Sequence, residues 1–367
     1  MHQVSIKPQW TIRLPGGAAL AERTVSLLVA VAEHGSLLKA CKALQVSYRH
    51  AWALIRDGEA LLGAPLLLME RGKGSLLSPL AEKLVWADRR IAARLSPTLD
   101  SLASELQAEI DRVLLSVPAL LRIHASHGFA IETLHQFLGQ AGIVNELRYC
   151  GSTEAVASLH MGACELAGFH VPLGEFEPAA VAHYGQWLKP GAQKIISIAT
   201  RRLGLMIAKG DPKKIYGIGD LARGDLRFIN RQAGSGTRFL LDLLLHKDGV
   251  EPGHVHGYEQ CELTHAAVAA YVASGMADVG FGVETPARHF HLDFVPIQTE
   301  RYFLLCDERS LDAPAVRKML AIVQSSEFKT AVNRLPGYQA VDSGTVADLR
   351  QIFPELGGRS PRSRRGA

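Results

Sequence analysis

The chain has 367 residues, 47% of them hydrophobic and 21% charged, with 40 basic against 36 acidic side chains. At roughly 100–200 residues per domain, that length holds two or three domains, each able to bury a core. Without the four arginines of the last eleven residues, GGRSPRSRRGA, bases and acids balance at 36 each, so any nucleic-acid surface must be local rather than global.

VSIKPQWTIRL (4–14) places apolar residues close to period two and predicts one or two short strands around Pro8. TVSLLVAVAEHGS (24–36) predicts a helix that Gly35 ends. Ser36 caps the amphipathic SLLKACKAL, QVS makes a tight turn, and Ser47 caps YRHAWALIRDGEALLG (48–63). Two helices joined by a short turn, with small Ala40 at their contact, follow the helix-turn-helix plan. Tyr48, Arg49 and His50 then stand at the N-terminal end of the second helix, the part that reaches base edges in a major groove. Arg49 is suited to read guanine or clamp phosphate, and Arg56 to touch phosphate two turns on. Trp52 and Ile55 are expected to face the core. PLLLMERGKGSLLSPLAEKLV (65–85) predicts strand, glycine hairpin, strand and then a helix opening at Ser78-Pro79, so that Arg71 and Lys73 form the tip of a wing. The candidate DNA contacts are Ser36, Ser47, Tyr48, Arg49, His50, Arg56, Arg71 and Lys73.

The stretch AEHGSLLKACKALQVSYRHAWALIRDGEALLGAPLLLMERGKGSLLSPLAEKLV resembles the DNA-binding domain of ModE-type molybdate regulators and, more distantly, LysR-type regulators. The likeness lies in G-S before the first helix, S-Y-R-x-A-W in the second, and the glycine wing before L-S-P. It implies recognition of double-stranded DNA by a dimer through helix and wing.

Beyond the wing, residues 85–114 continue helically, with Ile91, Leu95, Leu99, Leu102, Leu106 and Ile110 on one stripe. Such a stripe suits pairing with a second copy, and Pro97 is expected to bend or split the helix.

From residue 118 the pattern becomes strand-then-helix units. LLRIHAS, VNELRYCGS, ELAGFHVP, DLRFINR and ADVGFGVE predict strands, each near a helical stretch, while 193–212 and LDFVPIQTERYFLLC each predict a strand pair. There are too many units for one small sheet, so the chain is expected to cross into a second lobe near residue 200 and return near 297. Ligands of open α/β sheets sit beyond strand ends, at helix N-termini. Four segments put hydroxyls or glycines there: Ser126-His127-Gly128, Gly151-Ser152-Thr153, Gly234-Ser235-Gly236-Thr237 and Thr264-His265. With Arg231 and Arg238 close by, they predict an anion cradle lined by amides and hydroxyls.

RQAGSGTR and ASGMADVGFGVE resemble molybdate- or tungstate-binding periplasmic proteins and regulator-fused relatives, over about 118–345. That likeness implies a cleft between two lobes, with Glu284 at a strand end facing it. ModE regulators carry small β-barrel modules for molybdate, and this chain has no counterpart, so the head's likeness does not itself transfer the ligand.

The expected fold is α/β: a winged helix-turn-helix (1–84), a linker or dimerisation helix (85–116) and a two-lobed type II periplasmic-binding-protein-like domain (117–350). Lobe I is expected at about 117–200 and 297–350, lobe II at about 201–296, and 357–367 as a disordered basic tail. Five cysteines, odd in number and without C-x-x-C, an N-terminus without an apolar h-region and no membrane-length apolar run predict a cytoplasmic protein away from membranes. His254-x-His256 and His289-x-His291 lack the partners of a metal site, Ser235 lacks a base, and no Walker A motif follows a strand. The expected function is therefore a one-component regulator rather than an enzyme, a homodimer or homotetramer without cofactor, sensing a small anion. Molybdate or tungstate leads, with sulfate, formate or another small carboxylate as alternatives, and an anion-binding protein or enzyme with a non-functional head as the last.

Overall fold

The computed structural model describes residues 3–70, 74–115 and 120–357. Arg71 and Lys73, expected at a wing tip, and the basic stretch from residue 358 lie outside the described residues. The chain forms two compact units, one of Lys7–Leu95 and one of the remaining described residues.

In the first unit, α1 (Glu22–His34), α2 (Leu37–Leu44) and α3 (Tyr48–Leu62) precede β1 (Leu67–Glu70), β2 (Gly74–Leu77) and the start of α4 (Pro79–Leu115). Local chemistry fixes each end. Gly35 closes α1 at φ 74°, a left-handed turn that glycine adopts without strain. Ser36 accepts the Lys39 amide to start α2, and Ser47 accepts the His50 amide to start α3. Leu28, Leu37, Ala40, Ala51, Ile55 and Leu66 are fully buried together, and Trp52 is half-buried against them. A methyl group at Gly58 would stand 2.9 Å from Leu66 Cδ1, so glycine lets α3 lie directly on the root of the hairpin. β1 and β2 pair antiparallel.

The strands expected within residues 4–14 are not formed; only an isolated bridge, Arg13 to Ala19, occurs there. Pro8 and Pro15 interrupt pairing, and Trp10 and Ile12 instead pack on the helical core while Trp10 Nε1 donates to Asp88. Helix α4 is continuous through Pro97, neither split nor ended there.

The second unit is built on one sheet ordered β4-β3-β5-β10-β6-β9-β7-β8. In chain order its elements are β3 (Leu121–Ala125), α5 (Phe129–Gln140), β4 (Asn145–Tyr149), α6 (Ser152–His160), β5 (Leu166–Pro172), α7 (Glu177–Tyr184) and β6 (Gln193–Ile207). Then follow β7 (Phe228–Arg231), α8 (Gly236–Lys247), β8 (Cys261–Glu262), α9 (His265–Ala273), β9 (Val279–Val283), α10 (Glu284–His289) and β10 (Asp293–Asp307). The chain ends with α11 (Pro314–Gln324), α12 (Ser326–Asn333), β11 (Tyr338–Gln339), β12 (Val346–Asp348) and α13 (Leu349–Ile352).

Stretches 193–212 and 293–307 each contain one long strand rather than the expected pair. β6 and β10 are 15 residues each and pair antiparallel from end to end. At about 3.3 Å per residue each is some 50 Å long, enough to serve two lobes. One end of β10 pairs with β5, and residues 203–207 of β6 pair with β9. The parallel strands β4-β3-β5 carry lobe I, with α5, α11 and α12 over one core and α6, α7 and α13 over another. The parallel strands β9-β7-β8 carry lobe II, with α8 and α9 in separate cores.

The edge strand β4 would expose amides, a liability in any open sheet. Helix α4 covers them: Ser104 Oγ accepts the Leu147 amide at 2.8 Å and Ser101 Oγ accepts that of Tyr149 at 2.9 Å. The same helix buries Ala103, Ala108 and Asp111, while Leu95, Leu102 and Leu106 stay over 40% exposed.

Candidate functional site

Each helix expected to line the cleft begins at the end of a strand. Lobe I contributes the turns after β3 and β4, and lobe II those after β7 and β8. Across the gap the turns approach closely. A methyl group at Gly151 would lie 3.9 Å from the Gly234 carbonyl oxygen, and one at Gly236 the same distance from the Tyr184 hydroxyl. Ser152 is buried and hydrogen-bonds Tyr184, whose hydroxyl also donates to the His170 carbonyl at 3.1 Å.

Two of the expected hydroxyls are helix caps. Ser235 accepts the Arg238 amide and Thr264 the Ala267 amide, so their oxygens are engaged in starting α8 and α9. Thr237 is buried on the first turn of α8. Thr153 stands at the rim, bonded to His183, whose ring stacks on Phe239 of lobe II.

The charges divide sharply. Arg238 lies over the Tyr258 ring at 3.6 Å, pairs with Asp242 and donates to the Tyr258 carbonyl, so its charge holds the neighbouring loop. Glu284, expected to face the cleft, has its two oxygens engaged by Arg202 at 2.6 Å and Arg288 at 3.0 Å. An acid turned into an anion cradle would repel the guest, and here two arginines hold it. Arg231 is different. It is buried, it donates from Nη2 to the Leu263 carbonyl, and its Nε has no hydrogen-bond partner among the described residues. Burial and the charge of Arg201 push its guanidinium down to about 9, still protonated at neutral pH.

Arg201 and Glu300 were not anticipated. They are cross-strand partners where β6 and β10 pass from one lobe to the other. Arg201 Nε donates to Glu300 Oε1 at 2.6 Å, and both side chains are almost wholly buried. Arg201 Nη1 makes no hydrogen bond of good geometry among the described residues, with the Tyr338 hydroxyl the polar group it leans towards, and a methyl group at Gly128 would stand 3.3 Å from it. The free donor thus lies beside the first turn of α5, a 12-residue helix whose N-terminal amides also favour negative charge. The Tyr338 hydroxyl flanks the same point.

Three histidines surround these cations. His170 Nδ1 lies 3.0 Å from Ser126 Oγ, its Nε2 is 4.0 Å from Glu300, and its ring stacks on Tyr302. Tyr302 can sit there because Gly168 leaves room; a methyl group on Gly168 would fall 2.2 Å from the Tyr302 oxygen. His265 is buried at the start of α9, and His127 packs against Phe129 and Tyr149. Burial and then the two arginines hold all three neutral, with His127 pushed down to about 4 and His170 and His265 well below the usual histidine range. A signal for this cluster was present in the sequence: T-R-R (200–202) and T-E-R (299–301) put charge between the apolar runs of two strands.

In the first unit, Ser47, Tyr48, Arg49, His50 and Arg56 are exposed along α3, while Ile55 is buried and Ser36 half-buried. Tyr48 meets Trp52 edge to face at 6.2 Å, which holds its ring at the helix start. No group of three or more metal-ligating side chains occurs among the described residues, and no single helix there is long and apolar enough to cross a membrane.

Two families match the chain. Residues 136–324 match the PBP superfamily domain, and residues 23–82 match the bacterial regulatory helix-turn-helix protein of the lysR family. The chain belongs to the PBP superfamily and carries a LysR-type helix-turn-helix ahead of that domain. This is the architecture of LysR-type regulators, a class of non-enzymatic DNA-binding proteins. Among similar proteins, YvgK of Bacillus subtilis (strain 168) is 32% identical over 207 residues, which are 54% of this chain and 64% of YvgK. The molybdenum-pterin-binding protein MopB of Rhodobacter capsulatus is 30% identical over 118 residues, 31% of this chain and 43% of MopB. The chain therefore spans less than two thirds of either relative. A mutant OxyR of Corynebacterium glutamicum has a similar structure, with a TM-score of 0.44 and 14% identity over 85% of this chain and 93% of that one.

Proposed function

We propose that the protein is a one-component transcription regulator whose two-lobed domain binds a small anion, with molybdate or tungstate as the leading guest. The observation that carries this reading is two buried donors without acceptors, Arg201 Nη1 next to the amino end of α5 and Arg231 Nε at the end of β7. Buried donors without acceptors cost free energy, and an oxyanion offers acceptors on every side. MopB is named a molybdenum-pterin-binding protein, and for that reason molybdate and tungstate stand first among the guests to be tested. Glu300, beside the arginines, favours the alternative of a singly charged guest such as formate.

The head engages duplex DNA through Tyr48, Arg49 and His50 at the start of α3, with Arg56, Arg71 and Lys73 on phosphates. The exposed Leu95, Leu102 and Leu106 of α4 pair two copies, which places two heads on paired half-sites. An anion that prefers closed lobes shifts the population of the dimer and so its grip on DNA. The test is fluorescence anisotropy with duplex from upstream of the protein's own gene, over a salt series, with and without molybdate, tungstate, sulfate or formate. The reading expects tight sequence-dependent binding, a steep salt slope and a shift with one of the anions. Equal affinity for unrelated duplex, unmoved by any of them, contradicts it.

A further inference from the structure

Tyr338 carries a buried polar group that the fold does not use. The residue is 5% exposed, and its hydroxyl makes no hydrogen bond of good geometry among the described residues. It lies in β11, cross-strand from Arg201. Two groups lean on its oxygen, the Arg201 guanidinium and the Phe129 amide at the start of α5, and both are donors. Neither can take the hydroxyl's own hydrogen, because a guanidinium and an N–H offer no acceptor. The Ser126 carbonyl, 3.9 Å from a methyl group placed at Gly128, and the Glu300 carboxylate bonded to Arg201 do not accept it either. The hydrogen is left without an acceptor in an interior where that costs free energy.

The turn that brings the ring there is held on two sides. Thr285 Oγ1, at the start of α10, donates to the Pro336 carbonyl at 2.8 Å, and the Arg202 amide of β6 donates to the Gly337 carbonyl at 3.0 Å. Gly337 has a φ of 82°, and a methyl group on it would fall 2.8 Å from Glu284 Cβ, so glycine lets the turn lie directly against α10. A donor fixed by such packing before a guest arrives loses little freedom on binding.

Resting on the reading of this site as an anion receptor, we infer that Tyr338 is one of its ligand-binding residues: the hydroxyl donates its hydrogen to an oxygen of the guest, beside Arg201 Nη1 and the first amides of α5. The same guest oxygen then meets a neutral donor and a charged one, both already stripped of water.

The test is isothermal titration calorimetry of the full chain and of Tyr338→Phe with sodium molybdate, tungstate, sulfate and formate, beside thermal melts of both chains with none of these anions added. Phenylalanine keeps the ring and removes only the hydroxyl, so a ligand donor and a structural bond give opposite results. The proposal expects affinity for whichever anion binds to fall at least about tenfold, as for a lost hydrogen bond to a charged group. It expects the empty variant to melt at the same temperature or higher, since a buried group without an acceptor has been removed. A smaller loss of affinity, no loss or a gain overturns the assignment while leaving the receptor standing. A lower melting temperature of the empty variant, or a variant that does not fold, shows the hydroxyl holding the fold and overturns the assignment as well. No heat with any of the four salts on the unaltered chain overturns the receptor itself, and this inference with it.

Discussion

On α3 the donors of Tyr48, Arg49 and His50 stand in solvent; at the crossing of β6 and β10 those of Arg201 and Arg231 are buried. The first set costs nothing to keep unpaired, because water satisfies it, and it suits a long polyanion gripped through many weak, salt-screened contacts. The second set was stripped of water when the chain folded. Glu300 holds Arg201 and the Leu263 carbonyl holds Arg231, so a guest of the proposed kind would meet donors already desolvated and oriented. On the proposed function these are two anion-binding surfaces with opposite solvation, and their responses to mutation, salt and pH should differ accordingly.

The largest separation is expected from Arg201→Met. It strands Glu300 as a buried charge, and loss of one partner of such a pair costs about 3–5 kcal/mol; the midpoint of urea unfolding of the second unit should drop to match. Arg49→Ala exposes no such orphan. It should leave the unfolding midpoint in place and weaken DNA binding by about 1–3 kcal/mol in an anisotropy titration.

Acid provides a similar contrast. The folded-state values of His127, His170 and His265 lie below the unfolded value of about 6.5. Their contribution to stability is present above that pH and is lost as pH falls toward 4, by up to about 1.4 kcal/mol per pH unit for each. A scan of melting temperature should therefore fall between pH 7 and 5, and a triple His→Gln variant should flatten the fall. The smallest effect is expected from Thr264→Ala, which removes a helix cap worth about 1 kcal/mol and should lower the melting temperature by a few degrees.

The two surfaces were not equally legible in the sequence. Ser36, Gly35 and Ser47 are local signals, and each acts within a few residues of itself, so the head's helices could be placed almost to the residue. The turns after β3, β4, β7 and β8 were legible for the same reason. Arg201 and Glu300 were hidden because their meaning depends on pairing between residues 99 apart in the chain. Period-two patterning gives a strand but not its partner, which is also why β6 and β10 looked like strand pairs when each is a single crossing strand. Arg238 misled in the opposite direction. It sits beside the glycine turn in sequence, yet Tyr258 and Asp242 engage it from elements that composition cannot place.

The most direct measurement of the central claim, that buried arginine donors between the lobes hold a small anion, is a calorimetric titration of the unaltered chain and of Arg231→Met with the same four sodium salts. One anion bound per chain in the former, with affinity reduced at least about a hundredfold in the latter, is the predicted result, in line with the cost of truncating a buried charged contact. Equal affinities in the two chains, with Arg231→Met folded, would contradict it.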